Sequence, residues 1–227
     1  MAYTLAIETS TQVCSAAIFD GNKLLALKEE GGAYSHAEKL AVFIEEILKQ
    51  TGLSAEDMDA VAVSKGPGSY TGLRIGVSLA KGMCYALNIP LISIDTLKSM
   101  AWGINKGVKK EGLLCPMIDA RRMEVYTALF NSSLSYIKPV EAVVVEDEFL
   151  NSELENTLVY IFGDGAEKCL TVLKHQNLIF LDNQLPSAAK MGVLAAEKYQ
   201  AKDFEDVAYF EPFYLKEFIA LKGKKLV

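Results

Sequence analysis

The stretch "SKGPGSYTGLRIG", Ser64 to Gly76, decides the fold. The apolar run leading into it, "MDAVAVS", has the composition of a strand, and "TGLRIGVSLAKGMCYAL" has helical spacing. A glycine-rich turn from strand to helix is a common seat for phosphate, because backbone N–H groups and the positive helix end converge there. This turn fits neither common fingerprint. Five residues after Gly66 stands Thr71 and five after Gly68 stands Leu73, so no register supplies the second glycine of G-x-x-x-x-G-K-[ST]. Gly66, Gly68 and Gly72 place the third glycine one residue late for a dinucleotide loop. Asp95, closing the next strand, keeps an NAD reading open through Gly66 to Gly72.

The helix itself offers glycine another use. Gly72, Gly76, Ala80 and Cys84 recur every four residues, a stripe almost without side chains. A helix glycine costs about 1 kcal/mol relative to alanine, so the stripe predicts a compensating close contact. The expected contact is helix against helix, within the chain or across a subunit interface.

Upstream, "YTLAIET", "VCSAAIF" and "KLLALKE" read as an antiparallel meander, with a hairpin at Asp20-Gly21-Asn22. Ser35 then caps "HAEKLAVFIEEILKQTG", with Glu38 completing a capping box and Gly52 ending the helix. Downstream come a strand "LISI", a helix "TLKSMAWGI" and the polar stretch "NKGVKKEG", which marks a boundary near Ile104. Beyond it "LLCPMID", "MEVYTALF", "TLVYIFG" and "NLIFLD" read as strands, and "DGAEKCLTVL" and "SAAKMGVLAAEKYQ" as helices. The expected class is α/β, with two similar mixed-sheet domains at 1–104 and 105–227. The C-terminal segment is a candidate to return to the first domain, and its last residues, "KGKKLV", are expected to be disordered.

Net charge is −6, which leaves no basic footprint for nucleic acid. No run approaches the ~18 apolar residues of a membrane span, and "MAYTLAIETS" lacks the pattern of a secretory leader. A cytoplasmic chain with no membrane partner is expected. Cys14, Cys84, Cys115 and Cys169 stand far apart, as do His36 and His175. Reduced, buried thiols and no metal follow from that scatter. With two histidines, neither in a motif, no nucleophilic triad can be drawn.

Taken in order, "LAIETSTQVCSAAIFD", "SHAEKL", "KGPGSYTGLRIGVSLAKGM", "IDARRMEVYTALF" and "EPFYLKEF" resemble the bacterial TsaB (YeaZ) family of tRNA threonylcarbamoyladenosine biosynthesis proteins. The resemblance implies an actin-like ATPase (ribonuclease H-like) fold, shared with acetate kinase and sugar kinases, in which two domains flank a cleft. It also implies a non-catalytic subunit that binds a catalytic paralogue, TsaD, which transfers threonylcarbamoyl to the adenosine beside the anticodon. The ATPase TsaE would join through the complex, and tRNA would be contacted only indirectly.

Three departures from the catalytic paralogue point the same way. Its H-x-x-x-H metal pair maps to His36 and Leu40, which removes one ligand. The phosphate-binding hairpin survives only in outline, with Thr9 and Ser10 as vestigial contacts beside Val13 and Cys14. The second glycine loop is reduced to "FGDGAEK", leaving Gly163 and Gly165. No cofactor is expected. The partner surface is placed on the two consecutive helices, at His36, Lys39, Leu40, Phe43, Ile47, Leu73, Gly76, Val77 and Ala80, and is expected to support a homodimer as well. The rival reading is an independent nucleotide-binding enzyme of the same superfamily. Asp119, Arg121, Glu124 and Tyr126 form a polar group whose role, ion pairing or cleft site, stays open.

Overall fold

The computed structural model describes residues 2–32, 36–105 and 107–216. The chain begins as a meander. Strands β1 (Tyr3–Glu8), β2 (Val13–Asp20) and β3 (Lys23–Gly31) pair antiparallel. Asp20 faces Lys23 across the hairpin, and Gly21 takes the positive φ of 59° that such a tight turn demands. Helix α1 (His36–Thr51) then crosses over and returns the chain to β4 (Ala60–Gly66), which lies parallel to β1. Helix α2 (Tyr70–Leu87) leads to β5 (Leu91–Asp95), parallel to β4. The first sheet has the order β3-β2-β1-β4-β5.

Both faces of this sheet are covered. Leu5, Ile7 and Ile18 on one face meet Leu40, Phe43 and Ile47 of α1 and Val77 and Ala80 of α2. Ala6, Ala17 and Ala62 on the other face meet Met191, Leu194 and Ala195. Those last residues come from the far end of the chain, a 3₁₀ turn at Ala188–Lys190 followed by α6 (Gly192–Ala201). The C-terminal region therefore returns to the first sheet, and an isolated bridge from Leu91 to Glu205 fixes it along β5.

Helix α3 (Thr96–Asn105) buries Leu97, Met100, Ala101 and Ile104 against the second sheet, on Leu114, Ile118, Phe130 and Phe162. That sheet contains β6 (Leu113–Asp119), β7 (Glu124–Phe130), β8 (Tyr136–Val144), β9 (Val159–Phe162) and β10 (Leu178–Leu181), in the order β10-β9-β6-β7-β8. Read from the other edge this is the first sheet again: three antiparallel strands, then two added in parallel. Short helices α4 (Asn151–Leu154) and α5 (Ala166–Cys169) cover its outer face.

Three local expectations change. Strand β8 carries Pro139 and exposes Tyr136, Ile137 and Val144, so it shows neither alternation nor an apolar run. An edge strand tolerates both features, because its outer side needs no ladder partner. The helix expected over "DGAEKCLTVL" is one turn, and the one expected over "SAAKMGVLAAEKYQ" is split into the 3₁₀ turn and α6. Ser35 as the α1 cap and the final "KGKKLV" lie outside the described residues. Among the described residues no helix is long and apolar enough to cross a membrane.

Candidate functional site

The small-residue stripe of α2 faces the turn between β1 and β2. A Cβ on Gly72 would overlap the carbonyl oxygen of Thr9, and one on Gly76 would overlap Thr9 Oγ1. Gly68 stands equally close to the carbonyl of Ser10, which also accepts a hydrogen bond of 2.6 Å from the Ser69 N–H. The close contact predicted from the glycines is real. Its partner is a hairpin turn of the same chain rather than another helix. Ser69 caps α2, its hydroxyl accepting the Gly72 N–H at 3.2 Å. Leu73, Gly76, Val77 and Ala80 are consequently buried.

This packing aims the start of α2 into a cleft of about 460 Å³ between the two sheets. Ser10 and Thr11 line it from the first sheet, Asp119, Arg121 and Tyr126 from the second, and Lys216 from the C-terminal segment. The β6–β7 turn carries Arg121 and Arg122 at φ 73° and 49°, so two arginines hold a left-handed conformation that usually selects glycine or asparagine. Asp119 pairs with Lys168, and Glu124 with Lys216. The polar group left open by the sequence therefore does both things: it forms ion pairs and it faces the cleft.

At the base of the cleft the hairpin turn satisfies itself. Glu8 is fully buried; its Oε1 accepts the Ser10 N–H at 2.7 Å and the Ser64 hydroxyl at 2.9 Å. Burial pushes its carboxyl above the usual range, and those hydrogen bonds oppose the shift. The second glycine loop is also packed shut. A Cβ on Gly163 would overlap the Met117 carbonyl, and one on Gly165 would stand 2.9 Å from the Asp119 nitrogen. Gly163 and Gly165 thus serve the approach of that loop to β6. Thr9 is packed under Gly76, and of the four vestigial positions Ser10 reaches the cleft lining.

Asp95 is occupied elsewhere. Its Oδ1 accepts the Lys98 N–H at the start of α3 and its Oδ2 accepts the Tyr136 hydroxyl at 3.1 Å, a structural role that leaves no ribose ligand at this position. His36 is buried, with Nε2 2.7 Å from the carbonyl oxygen of Thr11. His175 is exposed. Among the described residues no group of three or more His, Cys, Asp or Glu is arranged to hold a metal.

The residues assigned to a partner surface divide sharply. His36, Leu40, Phe43, Ile47, Leu73, Gly76, Val77 and Ala80 are buried in this chain's own core, whereas Lys39 is half-exposed and pairs with Glu30. The outer surface of the helix pair consists instead of their neighbours. Ala37, Ala41, Arg74, Ile75, Ser78 and Leu79 line an open, mainly apolar groove of about 380 Å³ between α1 and α2, with Leu40 at its floor. Exposed positions of α1 and α2 in the sequence could be told from buried ones only by knowing that both helices lie on one sheet.

Sequence comparison places these features in a family. The chain is 31% identical to the tRNA threonylcarbamoyladenosine biosynthesis protein TsaB of Escherichia coli, over 96% of each protein. It belongs to the TsaB family. A second TsaB, from Haemophilus influenzae, is 29% identical over 96% of this chain and 95% of its own length. The TsaD family, tRNA N6-adenosine threonylcarbamoyltransferase, also matches residues 28–223. YeaZ from Pseudomonas aeruginosa superposes with a TM-score of 0.83 at 22% identity, over 95% of this chain and all of that one. The activator of 2-hydroxyisocaproyl-CoA dehydratase from Clostridium difficile shares the fold more distantly, at a TM-score of 0.50 and 12% identity over 90% of this chain and 98% of that one. The chain thus has the two-sheet actin-like ATPase architecture and belongs to a family of tRNA threonylcarbamoyladenosine biosynthesis.

Proposed function

We propose that this chain is a non-catalytic accessory subunit of threonylcarbamoyl transfer to the adenosine beside the anticodon of tRNA, and that it acts by docking the catalytic paralogue TsaD on α1 and α2. The observation that carries the reading is the apolar groove between these helices. A second helix pair laid into it would bury the apolar rims that water now touches. The same geometry suits a second copy of the chain, so a homodimer is expected when TsaD is absent. TsaE enters through TsaD, and the acidic chain meets tRNA only through the assembly.

The internal engagement of the hairpin turn supports the non-catalytic part. A phosphate approaching Ser10 would find its N–H already held by the Glu8 carboxyl.

The second reading, an independent nucleotide-binding enzyme, is favoured by the cleft itself and by a distant fold relative described with bound ADPNP. One experiment separates the two: threonylcarbamoyl transfer to tRNA from threonine, bicarbonate and ATP, with the adenylate-forming enzyme present and each other chain omitted in turn. The accessory reading expects no transfer without TsaD and a steep rise when this chain joins it. Modification of tRNA or ATP hydrolysis by this chain alone would establish the enzyme reading instead.

A further inference from the structure

Arg74 belongs to two surfaces at once. Among the described residues it is the only charged side chain lining the groove between α1 and α2. Its guanidinium carbon also stands 4.1 Å from the centre of the Tyr70 ring and 5.9 Å from that of Tyr214, and its Nε donates to the Tyr214 hydroxyl at 3.2 Å. The two rings lie 4.9 Å apart. Tyr70 lines the cleft. Phe213, beside Tyr214, donates its N–H to the Lys65 carbonyl at 2.7 Å, which ties the C-terminal segment to the glycine loop. Lys216 then crosses the cleft mouth to pair with Glu124 of β7.

We propose that residues 213–216 form a clasp over the cleft, and that Arg74 couples this clasp to the helix groove. A partner helix with an apolar ridge and one carboxylate, seated between α1 and α2, takes Arg74 away from Tyr214 and lets Lys216 leave Glu124. The direction follows from hydrogen-bond chemistry. A carboxylate accepts from guanidinium more strongly, and in a two-pronged geometry, than a neutral phenol does. The far end of the clasp gives way readily, because the Lys216–Glu124 pair is partly exposed, with side-chain exposures of 41% and 22%, and solvated ion pairs contribute little. Two states result. In the closed state Arg74 holds Tyr214 and the halves are joined at the mouth; in the open state the groove holds Arg74 and the mouth is free.

The trigger rests on the docking reading above, whereas the clasp does not, so the test has two parts. Spin labels at Gln12→Cys and Arg122→Cys flank the cleft in the full chain, whose native cysteines are buried. Arg74→Gln and Lys216→Gln should each broaden and lengthen the label distance relative to the parent, with Tyr214→Phe intermediate because it keeps the ring and loses the acceptor. Broadening by Lys216→Gln alone, with Arg74→Gln superimposable on the parent, would overturn the coupling. No change in either would overturn the clasp. Purified TsaD is then added. The expected result is the Arg74→Gln distribution in the parent chain; TsaD that co-sediments without shifting the labels overturns the trigger and leaves docking intact. TsaD that does not bind overturns both docking and trigger, while the variants still decide the clasp.

Discussion

Gly72 lies so close to Thr9 that a Cβ on the glycine would overlap the threonine's carbonyl oxygen. The neighbour is backbone, fixed in the turn that joins β1 to β2, and cannot rotate aside. Two opposing terms therefore decide what alanine does here. Helix propensity favours alanine by about 1 kcal/mol, and overpacking against a rigid turn costs about 1–3 kcal/mol or more. Steric cost wins.

Gly72→Ala is expected to lower stability by up to about 2 kcal/mol net, which for a chain of this size is a fall in Tm of up to roughly 8 °C. Gly82, on the same helix, has open space where a Cβ would stand, with nothing within 4 Å. Gly82→Ala should raise stability by about 0.5–1 kcal/mol. Thermal denaturation of the two variants checks both signs. If both substitutions stabilise, the glycines of α2 are not placed by contact with Thr9.

Buried Glu8 gives the fold a pH dependence whose sign can be worked out. Its carboxyl is raised by burial, so between the unfolded and folded values the native state holds the extra proton. The group's stabilising contribution is full below its unfolded value and is lost as pH rises through the folded one. Glu8→Gln keeps an oxygen for the Ser10 N–H and the Ser64 hydroxyl and removes the titration. The parent should therefore lose stability relative to Glu8→Gln as pH is raised from 4.5 upward. Asp95, also raised by burial, stays in both proteins and cancels in the difference. A stability difference independent of pH would show that Glu8 titrates normally.

The four thiols should be slow to react in the folded chain. All are buried, and burial pushes Cys14 and Cys84 up to about 11 and Cys115 up to about 12. At pH 8 a thiol of pKa 11 is ionised to roughly one part in a thousand, and the thiolate is the reactive form. Iodoacetamide should label none of them before unfolding and all of them after. Rapid labelling of the native chain would mark a region that opens locally.

How far the sequence reached depended on the distance over which each residue acts. The hairpin at Asp20-Gly21-Asn22 and the apolar face of α1 are settled by near neighbours, and they were legible. Strand β8 was not, because Pro139 and its exposed outer face erase the alternation on which strand recognition relies. The glycine stripe of α2 announced a close contact without naming its partner, since Thr9 lies far away in the chain and meets Gly76 only once β1 and β4 are paired. Leu40, Phe43 and Val77, read as part of a partner surface, lie buried in the chain's own core for the same physical reason. Periodicity shows that a helix has an apolar face, and tertiary structure decides whether sheet or solvent lies against it.

The groove between α1 and α2 supplies the last prediction. Ala41 is exposed on α1 and Leu79 is half-exposed on α2, where it packs on the edge of the core, and both line the groove. Ala41→Glu puts a larger side chain and a carboxylate into the groove that Arg74 lines, where it blocks the apolar contact and competes for that guanidinium with the carboxylate of a docking helix. It leaves the monomer's own packing alone. The expected outcome is at least a tenfold loss of TsaD binding and of self-association, with Tm unchanged within about 2 °C, since surface substitutions away from special features stay within about 0.5 kcal/mol. Lys28→Ala, on the partly exposed strand β3 and outside the groove lining, serves as the control and should leave both associations intact. Sedimentation velocity, run with and without TsaD, measures the two associations in one experiment. If Ala41→Glu binds TsaD as the parent does, the docking surface lies elsewhere on the chain.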